Sequence, residues 1–169
     1  MKNRVATHNA GAPGSTSVPA PTPAPAISDL GRARQLAEAR TSFEKARLAL
    51  EMGKARLAVT LLESCLDVET DHPEYLGLWG YSQTLIGGNL KAALDACERA
   101  IAARSYDATL HAQLGTVLQE CGRQHEARQC FENALQKDPQ NKLAKTQLQA
   151  LGDTNRGFSF TIWLRSLRG

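Results

Sequence analysis

The chain has 169 residues, of which 42% are apolar and 22% are charged, and its formal net charge is +3. This composition is typical of one soluble domain with a packed core, and an aromatic content of only 5% favours helices over sheets. The nearly balanced charge argues against nucleic acid as a partner, because duplex binding needs a continuous basic face. No apolar stretch approaches the roughly 20 residues that are needed to span a bilayer.

Residues 1–27 are rich in proline, alanine, serine, threonine and glycine and offer almost nothing to bury. Such a segment cannot offset the entropy that is lost on ordering, so we predict a disordered tail that acts as a linker or tether. Its basic residues, Lys2 and Arg4, are not followed by an apolar core, so a secretory signal is not expected. We therefore expect a cytoplasmic protein with reduced thiols.

Beyond the tail, proline and glycine divide the chain into segments that are dominated by good helix formers. Ser28 or Asp29 is predicted to cap the first helix, and Gly152 is predicted to cap the end of the last one. No strand is expected in this body. The predicted helices cover residues 28–52, 55–68, 73–86, 90–103, 108–121, 124–137 and 141–151.

Small residues recur in step along these helices, which indicates an internal repeat. Gly80 follows Ala46 by 34 residues, and Gly115 follows Gly80 by 35. Three further columns of small residues also have spacings of 34 or 35 residues. The second unit has one extra residue, which we assign to the turn at 86–88. The four columns are Ala46, Gly80 and Gly115; Gly53, Gly88 and Gly122; Ala58, Ala93 and Ala127; and Cys65, Ala100 and Ala134.

Each repeat unit is predicted to be a pair of antiparallel helices. Where two helices cross closely, only glycine or alanine lets the backbones approach, and a glycine column suits turns that need positive φ. One pair cannot bury its apolar stripe alone, so neighbouring pairs must stack. The larger residues expected to fill the space between helices are Leu62, Leu66, Trp79, Leu94, Ile101, Leu114, Phe131 and Leu135.

The third unit has the most complete set of these residues. It reads His111-x2-Leu114-Gly115-x2-Leu118, then Ala127-x3-Phe131-x2-Ala134, then Asp138-Pro139. This pattern is similar to the tetratricopeptide repeat signature, with His111 and Leu118 in place of the usual tryptophan and tyrosine. The resemblance covers about residues 39–151. It implies an all-α, right-handed superhelix of antiparallel helix pairs, with about three repeats and a capping helix in residues 28–152.

The resemblance also implies a function, because proteins of this family generally bind peptides or helices on the concave face and rarely catalyse reactions. We therefore expect a non-catalytic scaffold or adaptor with a protein or peptide partner. Aromatic residues and arginine are the usual anchors of interfaces, which favours Phe43, Arg47 and Tyr81. The predicted groove residues are Arg40, Phe43, Arg47, Glu74, Leu78, Tyr81, Thr84, Ala112, Gln113, Thr116 and Gln119.

One subfamily of similar fold binds the C-terminal carboxylate of chaperones through lysine and asparagine on successive groove helices. The matching positions here carry Phe43 and Arg47, then Leu78, then Thr109 and Gln113. Most of the cationic clamp is missing, so a co-chaperone of that kind is not expected.

Three settings are open for such a module. Bacterial three-repeat modules attached to regulatory or motility machinery are similar, which favours the adaptor. Small secretion-type chaperones also use three such repeats behind a long leading helix, and they hold an extended client segment. The third alternative is an accessory subunit of a larger regulatory or enzyme complex. The sequence does not determine the oligomeric state.

The 4 cysteines and 4 histidines do not show the spacing of a metal site, because zinc needs four converging ligands. Cys65 and Cys97 fall at packing positions, where a thiol behaves as a small apolar side chain. Cys121 and Cys130 have no pattern of basic neighbours that would lower their pKa. With no phosphate-binding glycine loop and no nucleophile–base motif, we expect no metal, no cofactor and no enzyme activity.

The C-terminal segment, residues 153–169, combines an apolar stripe with arginine. Phe160, Trp163, Leu164 and Leu167 have the spacing of an amphipathic helix, although alternating apolar residues also permit a strand. One interpretation is a closing element that packs on the last helix or in the groove. The other is a docking segment for a partner or, weakly, for an anionic membrane surface.

Overall fold

The structure is a computed structural model that describes residues 27–152. This part of the chain folds into helices that are joined by short turns. Within that range there are seven helices and no strand. The first six are α1 (Ile27–Glu51), α2 (Ala55–Leu66), α3 (Pro73–Leu85), α4 (Leu90–Ala103), α5 (Ala108–Glu120) and α6 (Gln124–Lys137). Residues 142–152 form α7.

The helix ends differ slightly from the predicted ones. α1 begins at Ile27, so Asp29 lies in its first turn rather than before it, where a carboxylate interacts favourably with the helix dipole. α2 ends at Leu66 because the N–H groups of Val68 and Glu69 both donate to the carbonyl of Cys65 in a tight turn. Gly152 lies within α7 rather than after it.

The helices pack as consecutive pairs, which confirms the predicted fold class. α1 packs against α2, α3 against α4 and α5 against α6, and the short turns inside each pair make the two helices antiparallel. Successive pairs stack through α2 on α3, α3 on α5 and α4 on α5. α7 continues the stack, because its Ala144 and Leu151 join the core formed by α5 and α6.

Small residues occupy the places where these helices cross, as predicted. Ala58, Ala93 and Ala127 are fully buried. A β-carbon at Gly115 would lie 2.6 Å from the nearest ring carbon of Phe131, which is itself fully buried. Nonbonded carbon atoms do not approach so closely, so the glycine is what permits the close crossing of α5 and α6.

In the second unit, the glycine of the turn column is Gly87, so the prediction of Gly88 is wrong. The glycines with left-handed φ are Gly53 (73°), Gly87 (64°) and Gly122 (77°). At each turn the glycine N–H donates to the carbonyl three residues earlier, and the following N–H donates to the carbonyl five residues earlier. This hydrogen-bond pattern ends a helix and requires positive φ at the glycine.

The extra residue of the second unit therefore lies after this glycine, next to α4. There Asn89 caps the helix, because its Oδ1 accepts a hydrogen bond from the Ala92 N–H at 3.1 Å. The corresponding cap positions of the other two units, Lys54 and Arg123, form no side-chain cap bond.

α1 is about twice as long as the helix it pairs with, having 25 residues against 12 in α2. Its pairing begins near Ala39, whose carbonyl accepts a hydrogen bond from Sγ of Cys65 at 3.2 Å. The turns before Ala39 are largely exposed, and Leu30 there is 58% exposed. They extend beyond the paired part of the first unit.

Candidate functional site

The first helices of the three pairs surround an open cleft. α1, α3 and α5 line a space of about 220 Å³, together with the loop that precedes α5. Its lining residues are Phe43, Arg47, Glu74, Leu78, Asp107, Thr109, Leu110 and Gln113. A space of this size accepts a few ligand side chains rather than a whole small molecule of drug size.

Apolar side chains form the floor of the cleft. Leu110 is 2% exposed, whereas Phe43 and Leu78 are only partly buried. The Phe43 ring is supported by Tyr75, with ring centroids 4.9 Å apart, and Tyr75 in turn stacks on His72 at 4.0 Å. Because Phe43 and Leu78 retain exposed apolar area, both can gain hydrophobic free energy by covering a ligand.

The two carboxylates at the cleft are engaged within the protein. Glu74 accepts a hydrogen bond from Arg104, the residue that follows α4, and this bond raises the pKa of the guanidinium. Asp107 caps α5 by accepting a hydrogen bond from the Thr109 N–H at 2.8 Å. The Glu74–Arg104 bond links the start of the loop before α5 to α3, and the Asp107 bond fixes the end of this loop on α5.

Arg47 is the cation of the cleft. Its guanidinium lies 3.1 Å from the carboxylate of Glu44, and the two side chains are 55% and 65% exposed. Such an exposed pair contributes at most about 1 kcal/mol, so the guanidinium is readily recruited by a ligand.

Gln113 is the buried polar residue of the cleft. It is 5% exposed, and its Oε1 has no hydrogen-bond partner among the described residues. The amide lies against Gly77 of α3, where a β-carbon would be 2.5 Å from Oε1. A buried unpaired acceptor costs about 1–3 kcal/mol, which a ligand that supplies a donor would recover.

The structure brings five of the predicted groove residues together at this cleft. They are Phe43, Arg47, Glu74, Leu78 and Gln113. Leu78 and Gln113 occupy the same place in the second and third repeats, since they are 35 residues apart, as are Gly80 and Gly115. Phe43 lies one residue before the corresponding place of the first repeat, which Glu44 occupies.

Two predicted groove residues on α5 lie in the interior instead. Ala112 is fully buried in the core that contains Phe131 and Ala134 of α6. Thr116, one turn later, is also buried, and its hydroxyl donates to the Ala112 carbonyl at 3.1 Å. This face of α5 is turned into its own repeat rather than toward the cleft.

The other predicted groove residues lie beside the cleft without lining it. Arg40 is exposed on α1. Tyr81 and Thr84 are partly buried on α3, where the Thr84 hydroxyl donates to the Tyr81 carbonyl at 2.7 Å. Gln119 is partly buried near the end of α5, and its Oε1 has no hydrogen-bond partner among the described residues.

Sequence reasoning did not assign Asp107 and Leu110 to the cleft. The signal for Asp107 is its place directly before α5, since aspartate there caps a helix and thereby faces its first turn. The signal for Leu110 is its spacing of three residues from Gln113, which puts both side chains on one face of the helix.

The cysteines pack as apolar groups in the described part of the chain. Cys65 and Cys97 are buried, as predicted from their packing positions. Burial raises the pKa of the Cys97 thiol to about 12, and burial also raises the pKa of Cys130. Protonated thiols are poor nucleophiles. Across residues 27–152, no three His, Cys, Asp or Glu side chains are arranged to hold a metal ion.

The proposed C-terminal docking residues Phe160, Trp163, Leu164 and Leu167 lie outside the described residues, and so does the tail before residue 27. Among the helices of residues 27–152, none combines the length and the apolar character that a membrane crossing demands.

Comparison of the sequence with known protein families identifies one repeat directly. Residues 108–141, which contain α5 and α6, match the family model described as Tetratricopeptide repeat. No curated protein sequence matches the chain.

Solved structures share the fold over about 70% of this chain. The Arabidopsis OM64 TPR domain is 21% identical, with 69% of this chain and 96% of that domain covered and a TM-score of 0.59. The second TPR domain of human RPAP3, in complex with the HSP70 peptide SGPTIEEVD, is 21% identical over 72% of this chain and 98% of its own, with a TM-score of 0.57. The Sgt2 TPR domain from Aspergillus fumigatus is 14% identical over 72% of this chain and 82% of its own, with a TM-score of 0.61.

Proposed function

Because its described residues form a tetratricopeptide repeat domain, we propose that this chain is a non-catalytic interaction module that binds a peptide or helix of a partner protein. The binding site is the cleft between α1, α3 and α5. The RPAP3 domain, which has the same fold, was solved with a bound peptide, and this supports binding of a peptide rather than a small molecule.

One observation carries the proposal: the first helices of three successive repeats contribute side chains to one open cleft. Phe43, Leu78 and Gln113 offer an aromatic ring, an aliphatic side chain and an amide in succession across three helices. A segment that crosses the helices covers the exposed parts of the first two. The Gln113 amide can pair with the main chain of any peptide, since it contains both a donor and an acceptor.

The charges of the cleft favour an apolar segment over an acidic C-terminus. Arg47 is accompanied by Glu74 and Asp107 among the lining residues, so the cleft has no cationic excess. A ligand carboxylate would meet one recruitable guanidinium, whereas apolar side chains would meet Phe43, Leu78 and Leu110.

The cellular role that fits this site is a cytoplasmic scaffold or adaptor. A small secretion-type chaperone is the second candidate, and the length of α1 favours it. The exposed turns before Ala39 extend the first helix beyond the repeat, which lengthens the surface along which an extended client segment can lie.

The test uses peptides selected from a displayed library of random dodecapeptides against the full-length protein, with affinities measured by fluorescence anisotropy. Thr109→Trp should weaken binding about tenfold or more, roughly 1.4 kcal/mol, because the indole fills the cleft from an exposed position. Thr60→Trp is the matched control, since Thr60 is exposed on α2 away from the cleft.

The labelled peptide SGPTIEEVD should bind at least tenfold more weakly than the selected peptides. Circular dichroism must show both variants folded. Unchanged affinity in Thr109→Trp, or an equal loss in Thr60→Trp, would rule out the cleft as the binding site.

A further inference from the structure

A second groove lies on the outer face, between α2 and α4. It encloses about 290 Å³, and its floor is formed by Leu66 of α2 with Leu76 and Trp79 of α3. Leu66 and Trp79 are only partly buried, so their apolar surface remains available. The indole Nε1 of Trp79 donates to Oε1 of Glu63 at 3.4 Å, which ties the ring to the rim of the groove.

The rim of this groove is acidic. Glu63, Asp67 and Asp95 line it together with one cation, Arg99. Arg99 is already paired, because it bonds to Asp71 and lies 3.8 Å from Asp95. Glu63 and Asp67 have no cationic partner among residues 27–152. The groove therefore combines an apolar floor with uncompensated negative charge.

The repeat fold does not by itself require an acidic rim around an apolar floor. The groove between α4 and α6 has the same place in the next unit, 34 or 35 residues later. There the residues that correspond to Asp67, Trp79 and Asp95 are Ala102, Leu114 and Gln129. Glu63, by contrast, corresponds to Glu98. Two of the three rim carboxylates and the tryptophan are therefore specific to the first groove, and both features favour a ligand that is apolar and basic.

The chain contains a segment with that chemistry. Residues 154–169 include Arg156, Arg165 and Arg168 and no acidic residue. The same stretch has the apolar stripe that runs from Phe160 to Leu167. The arginines of this segment are complementary to the carboxylates of the rim, and its apolar side chains are complementary to the floor that contains the Trp79 indole.

We propose that the groove between α2 and α4 binds residues 158–169 of a second copy of this chain. Within one copy the connection would have to be almost fully extended, which favours a second copy. α6 and α4 lie between α7 and the groove, and packed helices are about 8–10 Å apart, so the path across them is at least about 20 Å. The connection from residue 152 to residue 158 contains six Cα–Cα intervals and spans at most about 20–22 Å, so it would have almost no slack.

A photo-crosslinking experiment on the full-length protein locates the segment. Trp163 is replaced by p-benzoylphenylalanine, and unlabelled and ¹⁵N-labelled protein are mixed, irradiated and analysed by mass spectrometry. Cross-links should join position 163 to peptides of α2, α3 or α4, and they should connect light with heavy chains. Cross-links confined to one copy, or to α7 or the inner cleft, would overturn the proposal.

Charge-swap variants test the chemistry of the same contact through self-association, measured by sedimentation equilibrium. Asp95→Lys should weaken self-association about tenfold, and Arg165→Glu should do the same. The double variant should recover most of the loss. Gln129→Lys, at the same place in the next groove, is the control and should have no effect.

An equal effect of Gln129→Lys, or no effect of Asp95→Lys, would show that the acidic groove is not the docking site. Peptide binding in the inner cleft is measured separately with the selected peptides. It should be unchanged in Asp95→Lys, so a failure of either proposal is distinguishable from a failure of the other.

Discussion

Gly115 shows how a single missing side chain determines the packing of two helices. Glycine weakens a helix interior by about 1 kcal/mol relative to alanine, so its presence in α5 requires a compensating contact. That contact is the ring of Phe131, which occupies the space where a β-carbon would lie.

Gly115→Ala should lower the free energy of unfolding by about 1–3 kcal/mol, because the buried Phe131 ring must shift to accept the methyl group. The measurement is urea denaturation followed by circular dichroism. Gly31→Ala is the control, since a β-carbon at this α1 position meets nothing within 4 Å. It should leave stability unchanged or raise it slightly, by up to about 1 kcal/mol. A stable Gly115→Ala variant would contradict the assigned helix crossing.

At the scale of elements, the turn between α3 and α4 differs from the other two by one residue. The insertion does not disturb the stacking of the pairs, because it lies outside both helices. It also supplies a cap, since Asn89 bonds to the first turn of α4 while the shorter turns end in Lys54 and Arg123 without such a bond.

Asn89→Ala should lower the free energy of unfolding by about 1 kcal/mol, the usual loss when a helix cap is removed. Lys54→Ala provides the comparison, because its side chain forms no cap bond, and it should change stability by less than about half as much. Chemical denaturation of both variants measures the two changes in the free energy of unfolding. Equal losses would mean that the Asn89 side chain does not cap α4 in solution.

At the scale of the whole molecule, the domain is a stack in which each pair is stabilised by its immediate neighbours. The described core closes with α7, whose Leu151 is buried against α5 and α6. The body formed by residues 27–152 therefore contains its own terminal helix.

Deletion of residues 158–169 should leave the melting temperature and helical circular dichroism nearly unchanged at low protein concentration. The same deletion should reduce self-association as strongly as the groove variants do. A loss of more than about 2 kcal/mol in the dilute protein would instead identify the segment as a closing element of its own domain.

Several features of this protein follow from the amino-acid order alone. The helices were predictable because proline, glycine and the capping residues act on the turns next to them. The buried alanine columns were predictable because a close crossing admits only small side chains, whichever large residues surround it. Leu78 and Gln113 were predictable as a pair, since the step of 35 residues between the second and third units presents equivalent positions on the same face.

Other features were decided only by the tertiary structure. The sequence does not show whether Gly87 or Gly88 is the turn glycine. The hydrogen bonds at the end of α3 determine that Gly87 has the positive φ. Ala112 and Thr116 lie on a predicted groove helix, but the rotation of α5 against α6 turns them inward. The outer groove arises because α2 and α4 leave α3 exposed between them. Such outcomes depend on the angles between helices, which are set by packing across distant parts of the chain rather than by local preference.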